Sequence, residues 1–333
     1  MTKIFRINKI DENAIKKIKI VADGIKKGKI AIFPTETVYG IGVSAFDKKS
    51  IKRLYKIKER SHKIPLTVHV CDLKQVYEIV EFDERTKRIF EKLTRKFWPG
   101  PLTLILKKKK GKVPDEATAG LDTVAVRMPR NKIALELIKE AGPLVAPSAN
   151  VSGKPSGTTI KDIIEDFSGK VEFIIDGGPS EIGLESTVLD LTQNVPTILR
   201  PGGISYEQLK KLIKVKIGGK KEEEKEEIKY SPKADVVILF GKGEKIKEFL
   251  RKEREKKKKI GAILISKINV KGIKIKKVKS LKEYARNLFK YFRDFDRKKI
   301  KTIYCEAVEE KGIGYAIMDR IKKAAKNKIK ITN

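Results

Sequence analysis

The stretch Lys29–Gly42, KIAIFPTETVYGIG, decides how the chain is organised. Lys29 to Phe33 is a short apolar run stopped by Pro34, which predicts a buried strand rather than a helix. Two threonines and a glutamate follow at once, and then Gly40 and Gly42, which permit close backbone approach. Polar side chains at the end of a buried strand either cap a following helix or face a ligand. Working outward, Ala14, Ile15, Ile18, Val21, Ala22 and Ile25 keep a 3.6-residue period, so Asn13 to Lys27 is predicted as an amphipathic helix. On the other side a helix over Ser50 to Glu59 leads to a strand over Leu66 to Cys71. Ile89, Phe90, Leu93 and Phe97 mark a further helix, ended by Pro99 and Gly100.

Strands are predicted over Leu102–Leu106, Thr123–Arg127, Leu144–Ala146, Val171–Ile175, Thr187–Leu191 and Thr197–Leu199. Helices and strands mix here without a strict βαβ rhythm, which points to a twisted mixed sheet covered by helices. The charged run Lys220 to Lys229, KKEEEKEEIK, then breaks the apolar pattern and reads as a linker. Beyond it the rhythm becomes regular. Val236–Phe240, Gly261–Ser266 and Thr302–Ala307 are strands that alternate with helices over Glu244–Lys256, Leu281–Asp296 and Ile313–Ala325. That alternation predicts a small parallel α/β domain. The expected organisation is a domain over 1–212, a linker over 213–233 and a second domain over 234–333.

The chain has 333 residues, 40% of them hydrophobic, which suffices for two cores. Cys71 and Cys305 are the only cysteines, so neither a disulfide framework nor a cysteine-based zinc site is expected. With no apolar leader and no run of about 18 uncharged apolar residues, the chain reads as soluble and cytoplasmic, without a membrane partner. The formal charge is +34, and residues 234–333 carry +19 of it, from 31 basic and 12 acidic residues. A heat-adapted composition enriches Lys and Glu together and leaves such an excess unbalanced, so a polyanionic partner is expected.

The chain lacks the G-x-x-x-x-G-K-[ST] loop, the G-x-S-x-G elbow and the H-E-x-x-H pair, and no residues show metal-ligand spacing. His69 and Cys71 share a strand face, where a small buried cysteine beside a polar ring is the commoner outcome than a nucleophilic dyad. Polar residues at strand ends remain. They are the threonines of PTET, the alternating cations Lys56, Lys58 and Arg60, and the hydroxyl-rich loop Ser148-Ala149-Asn150 to Gly157. Glu185-Ser186-Thr187 and Arg200-Pro201-Gly202-Gly203 complete the set. Forked arginines and small hydroxyls suit phosphate oxygens, although each of these stretches alone could be solvated surface or an ordinary loop.

Taken in order, FPTETVYGIG, the K-x-R of Lys58 and Arg60, LTVHV, AVRMP, PSANVSG, LESTVLDL and ILRPGG resemble the YrdC-like domain of threonylcarbamoyl-AMP synthases. YARNLFKYFRDFD (284–296) and GIGYAIMDRIKKAA (312–325) resemble the smaller C-terminal domain of the long, two-domain form. The resemblance implies an α/β protein, a YrdC-like catalytic domain followed by a small Rossmann-like one. It implies a nucleotidyltransferase that converts L-threonine, bicarbonate or CO2, and ATP into threonylcarbamoyl-AMP and pyrophosphate. That product serves N6-threonylcarbamoyladenosine formation in tRNA.

By the same resemblance, Thr35, His69, Arg127, Ala146 and Ser186 would hold the threonine. Lys58, Arg60, Ile64, Thr123, Ser148, Asn150, Ser156, Arg200 and Tyr230 would surround ATP, with Lys58 and Arg60 catalytic. The linker, through Tyr230, would act as a lid. Mg2+ would come with the nucleotide rather than sit in a protein cage. Expected partners are tRNA or double-stranded RNA and a downstream threonylcarbamoyl transferase. The alternative is an RNA-binding YrdC-like module without synthase activity. Three positions depart from the family's usual Lys-Gly-Arg-Pro and Asn-Pro-Leu: Glu59 replaces glycine, Ser61 proline and Ile64 asparagine.

Overall fold

The computed structural model describes residues 1–218, 230–241, 243–256, 259–326 and 328–331. The expected linker segment Lys220–Lys229 lies outside the described residues. Among those described, the strands form two sheets. The larger has twelve strands and mixes parallel and antiparallel pairs. Its order begins Lys3–Arg6, Phe173–Asp176, Ala31–Phe33, Gly40–Ser44 and Leu144–Val145. It continues Thr67–His69, Thr123–Arg127, Leu102–Lys108, Thr187–Asp190, Thr197–Arg200 and Lys216–Ile217, with Val80–Glu81 added beside Leu102–Lys108.

One part of the opening stretch differs from its sequence reading. Gly40–Ser44, where the sequence reading placed only a close backbone approach, is a buried strand, antiparallel to Ala31–Phe33, with Phe33 opposite Gly40 and Ala31 opposite Gly42. A Cβ on Gly42 would stand 2.8 Å from the Phe33 ring, so glycine here makes room for a neighbouring aromatic inside the sheet. The PTETVY residues therefore form a hairpin loop at one end of two core strands.

Helices that the sequence reading left out begin at side-chain caps. Asp72, Asn131 and Thr159 cap Leu73–Ile79, Lys132–Ala141 and Ile160–Phe167. Lys132–Ala141 packs Ile133, Ala134, Leu137 and Ile138 onto Ile18, Val21 and Ile25 of helix Glu12–Lys26, covering one face of the sheet. Ile160–Phe167 buries Asp162 and Asp166 beside Ile163 and Phe167, so its inner face mixes acid with hydrocarbon. That mixture hides the helix from an apolar periodicity.

The second sheet is parallel throughout, in the order Lys274–Lys277, Ile260–Leu264, Thr302–Glu306, Asp235–Phe240 and Ile329–Ile331. Helix Gly243–Lys256 covers one face through Ile246 and Leu250. Helices Leu281–Arg297 and Ile313–Ala325 cover the other. This is the Rossmann-like arrangement expected of alternating strands and helices. The core under those two helices also takes in Val38, Leu184 and Tyr230, so the second sheet's helices pack directly against the hairpin loop. The contact is close: a Cβ on Gly183, whose φ is +77°, would lie 2.3 Å from the Arg286 carbonyl oxygen. No helix among the described residues is long and apolar enough to cross a membrane.

Candidate active site

Strand register assembles the polar residues. Thr67–His69 runs parallel to Thr123–Arg127 with His69 level with Arg127, while Val68 and His69 pair with Val145 and Leu144 on the other side. The ends of these strands face the PTETVY loop and open a cleft of about 1420 Å³, its mouth included. Thr35, Lys58, Arg60, Ile64, His69, Arg127, Ala146, Ser148, Asn150, Ser186, Arg200 and Tyr230 all line it. Two expected residues do not. Thr123 shares the face of Ala125 and Arg127 but pairs with Lys107 beyond the cleft, and it is Ala125 that lines the wall. Ser156 is fully buried behind the wall, where its hydroxyl donates to Glu185 Oε1 at 2.6 Å.

Arg127 is held before any ligand arrives. Its Nη2 donates to Glu36 Oε1 at 2.6 Å, Nη1 to Thr37 Oγ1 at 2.9 Å, and Nε to the Gly100 carbonyl at 3.2 Å. Glu36 is as buried as Arg127, and its second oxygen accepts from the Arg130 amide at 3.1 Å. Removing either partner of such a buried pair costs about 3–5 kcal/mol, because the other charge is left unpaired. Beside it, Thr35 Oγ1 donates to the Val38 carbonyl at 2.5 Å and lies 2.8 Å from Thr37 Oγ1. Ser186 Oγ lies 2.7 Å from Thr103 Oγ1 and receives Arg200 Nη2 at 3.1 Å.

Lys58 stands at the end of helix Lys48–Lys58, and its Nζ donates to the carbonyls of Ser148 and Asn150 at 2.5 and 2.6 Å. It therefore fastens the PSAN loop to the K-x-R segment. Burial, then the nearby charge of Arg60, pulls its pKa down, while the two carbonyls hold the ammonium. The Asn150 side chain closes the loop through the carbonyls of Val151 and Lys154, at 2.9 and 3.0 Å. Tyr230 stacks on Phe289 with ring centroids 5.5 Å apart. It is joined to the loop by its neighbour, as the Ser231 amide donates to the Gly153 carbonyl at 2.8 Å.

The departures from the family pattern have local explanations. Glu59 takes the left-handed conformation, φ 50° and ψ 44°, that ends the helix, where glycine carries no steric cost. At Ile64 the side chain supplies no amide, but the segment is pinned by its backbone. Tyr55 Oη donates to the Ile64 carbonyl at 2.8 Å, and Arg60 Nη2 to the Pro65 carbonyl at 3.3 Å. Residues in these stretches to which the sequence reading gave no role include Glu36, Thr37, Lys154 and Glu185. Glu36 carried one usable signal, an acid inside an apolar stretch, which demands a buried cation. Nothing local to Glu185 announced its partner.

Burial, then the Arg127 charge, drives the His69 pKa from 6.5 to about 3, so its ring is neutral at working pH. Its Nδ1 lies 3.3 Å from the Thr67 carbonyl. Below pH 6.5 the unfolded chain binds a proton on His69 that the folded chain refuses until about pH 3, so this residue lowers stability as pH falls through that window. His69→Gln should therefore lose stability less steeply than the unaltered protein between pH 6 and 4, by up to about 1.4 kcal/mol per pH unit. Urea titrations at each pH measure this, and equal slopes would mean that His69 protonates inside the cleft. Glu59→Gly should raise the denaturation midpoint, by about 1 kcal/mol of stability; a lower midpoint would count against the left-handed cap.

Comparison with known proteins finds two family models and several relatives that match the chain. The model of the Sua5, YciO and YrdC family, described as telomere recombination, matches residues 23–202. A model described as the threonylcarbamoyl-AMP synthase C-terminal domain matches 204–326. The chain is 43% identical over 330 residues to a threonylcarbamoyl-AMP synthase of Pyrococcus abyssi, covering 93% of this chain and 94% of that one. It is 37% identical to a Bacillus subtilis protein of the same name, covering 92% of each. The crystal structure of P. abyssi Sua5 complexed with L-threonine superposes with a TM-score of 0.89 at 39% identity, covering all of both chains.

Proposed function

Because this chain belongs to the threonylcarbamoyl-AMP synthase family, we propose that its cleft joins a threonine site to an ATP site across the His69–Arg127 strand pair. The activity is the family's: L-threonine, bicarbonate or CO2, and ATP give threonylcarbamoyl-AMP and pyrophosphate. Thr35, His69, Arg127, Ala146 and Ser186 form the threonine side. Lys58, Arg60, Ile64, Ser148, Asn150, Arg200 and Tyr230 form the ATP side, Ser156 acting through Glu185 and Thr123 lying beyond the rim. The observation that carries this reading is the convergence of an amino-acid-sized set of polar groups around Arg127 with three cations, Lys58, Arg60 and Arg200, in one cleft.

The threonine amine, as its free base, adds to CO2 and releases one proton to solvent, giving a carbamate. Its oxygen attacks the α-phosphorus of ATP, the bond to the β-phosphate oxygen breaks, and pyrophosphate leaves with the electron pair. No protein nucleophile is needed, so catalysis comes from positioning and from charge stabilisation. Arg127, pre-oriented by Glu36 and Thr37, offers its remaining N–H groups to the threonine carboxylate. Neutral His69 hydrogen-bonds the substrate without competing with it for a proton. Arg60 and Arg200 stabilise charge on the phosphates, and Lys58 holds the loop that faces them. Tyr230 lines the cleft and its neighbour Ser231 is bonded to the Gly153 carbonyl, which supports a covering role for Tyr230 itself.

Mg2+ is proposed to arrive with the nucleotide. Among the described residues no group of three His, Cys, Asp or Glu side chains could hold a metal, and the cleft carboxylate Glu185 is taken by Arg320 and Ser156. No step is routed through the ion. The +34 charge supports tRNA as a partner and hand-over of the adenylate to a transferase bound to that RNA. The free thiols Cys71 and Cys305 fit a reducing cytoplasm.

The test is pyrophosphate release from ATP, expected only when L-threonine and bicarbonate are both present; release without threonine would refute the reading. Arg60→Ala and Arg127→Ala should each lower kcat/KM by about 100-fold or more, equivalent to at least about 2.7 kcal/mol. Near-normal rates in either variant would remove that residue from the reaction.

A further inference from the structure

The loop after Asn150 is fastened from behind by residues more than a hundred positions further along the chain. Arg293, on the inner face of helix Leu281–Arg297, donates through Nε and Nη2 to the Pro155 carbonyl at 3.0 and 2.7 Å. Its Nη2 also reaches Asp166 Oδ2 at 2.6 Å. The next residue, Ser156, donates to one oxygen of Glu185, and the other oxygen accepts from Arg320 Nε at 3.0 Å. Arg320 lies on helix Ile313–Ala325 and is 0% exposed. Its Nη2 donates to the Pro201 carbonyl at 3.0 Å, next to Arg200, and its guanidinium stands 5.2 Å over the Tyr230 ring.

We propose that Arg293 and Arg320 are positioning residues for the ATP side of the reaction, so that helices of the second sheet complete the nucleotide site of the first. The proposal rests on the reading of this cleft as the ATP site. Its physical basis has two parts. Buried guanidinium–carboxylate pairs stabilise a fold no better than hydrocarbon of the same volume, whereas a forked guanidinium fixes the direction of a carbonyl or carboxylate. Here the fixed groups are the Pro155 carbonyl and Glu185, which set the course of the loop between Asn150 and Ser156.

The second part is charge. Glu185 lines the cleft and would repel a triphosphate. Burial would raise its pKa, but the charges of Arg320 and Arg200 and the Ser156 hydroxyl outweigh that and keep it ionised. Arg320 thus balances an acid that the wall presents to the nucleotide. The amino-acid side has its own anchor in Glu36, and the hydrogen bonds that hold Arg127 come from Glu36, Thr37 and Gly100 rather than from either arginine's partners.

Steady-state pyrophosphate release, with ATP and L-threonine varied separately, tests this in Arg293→Lys and Arg320→Lys, alongside thermal midpoints. Lysine keeps the charge and loses the fork. The expected result is a rise of about tenfold or more in the KM for ATP, with the KM for L-threonine within about twofold of the unaltered protein. An unchanged KM for ATP overturns the proposal. So does a parallel change in both constants with a lowered midpoint, which would mark the arginines as structural support alone. If a single variant fails to fold, the charge-neutral pair Glu185→Gln with Arg320→Gln decides by the same split. An unaltered protein that needs no threonine for pyrophosphate release would instead refute the reading of the cleft, before any variant is compared.

Discussion

The guanidinium of Arg127 ties together three separated parts of the chain. It reaches the PTET loop through Glu36 and Thr37, the turn after Pro99 through the Gly100 carbonyl, and its own strand through the sheet. A cation this deep must be matched, and Glu36 matches it with a second oxygen committed to the Arg130 amide. The hairpin loop cannot move away without exposing an unpaired charge to a dry interior. The amino-acid end of the cleft is therefore built as a consequence of satisfying one buried arginine. His69, held beside it by strand register, stays neutral for the same reason: burial and the adjacent cation both disfavour a second positive charge.

The proposed ATP side follows a different logic. Its loop carries few side chains large enough to pack, so its shape comes from main-chain carbonyls captured by cations. Lys58 takes those of Ser148 and Asn150, and Arg293 takes that of Pro155. Charge-assisted bonds of this kind are shorter and stronger than neutral ones. On the proposed reading, this is how adenylate chemistry proceeds without a glycine-rich phosphate loop. On that reading the cleft binds through preset cations, and the reaction asks for alignment rather than for a protein nucleophile.

The two sheets are not independent bodies joined by a tether. Val38 and Leu184 from the first chain segment and Tyr230 at the entry to the second share one core with the helices of the parallel sheet. Arg297 adds contacts to buried Asp162 at 3.1 Å and exposed Glu165 at 3.0 Å. Helix Ile160–Phe167 is acidic on its inner face because basic helix Leu281–Arg297 lies against it. Of its two buried aspartates, Asp162 closes the capping box with Thr159 and also meets Arg297, while Asp166 has its partner in Arg293, more than a hundred positions away.

Several features were legible in the sequence alone. The alternation after residue 234 predicts a parallel sheet, because strand and helix lengths of that kind have few other ways to bury their apolar faces. The strand Thr123–Arg127 and the helix Ile313–Ala325 fall where periodicity puts them. The polar residues at strand ends were visible as chemistry without a partner, and their order carried the family resemblance. Only the tertiary structure decided which charges meet. Sequence periodicity reports which face of an element is buried, but a buried ion pair is a relation between elements, and its two halves look like ordinary surface residues when read apart. Glu36 with Arg127, Glu185 with Arg320 and Asp166 with Arg293 are three such pairs. The stretch Lys29–Gly42 shows the same division. Its apolar run announced a buried strand, while only the packing of Phe33 against Gly42 made its second half a strand as well.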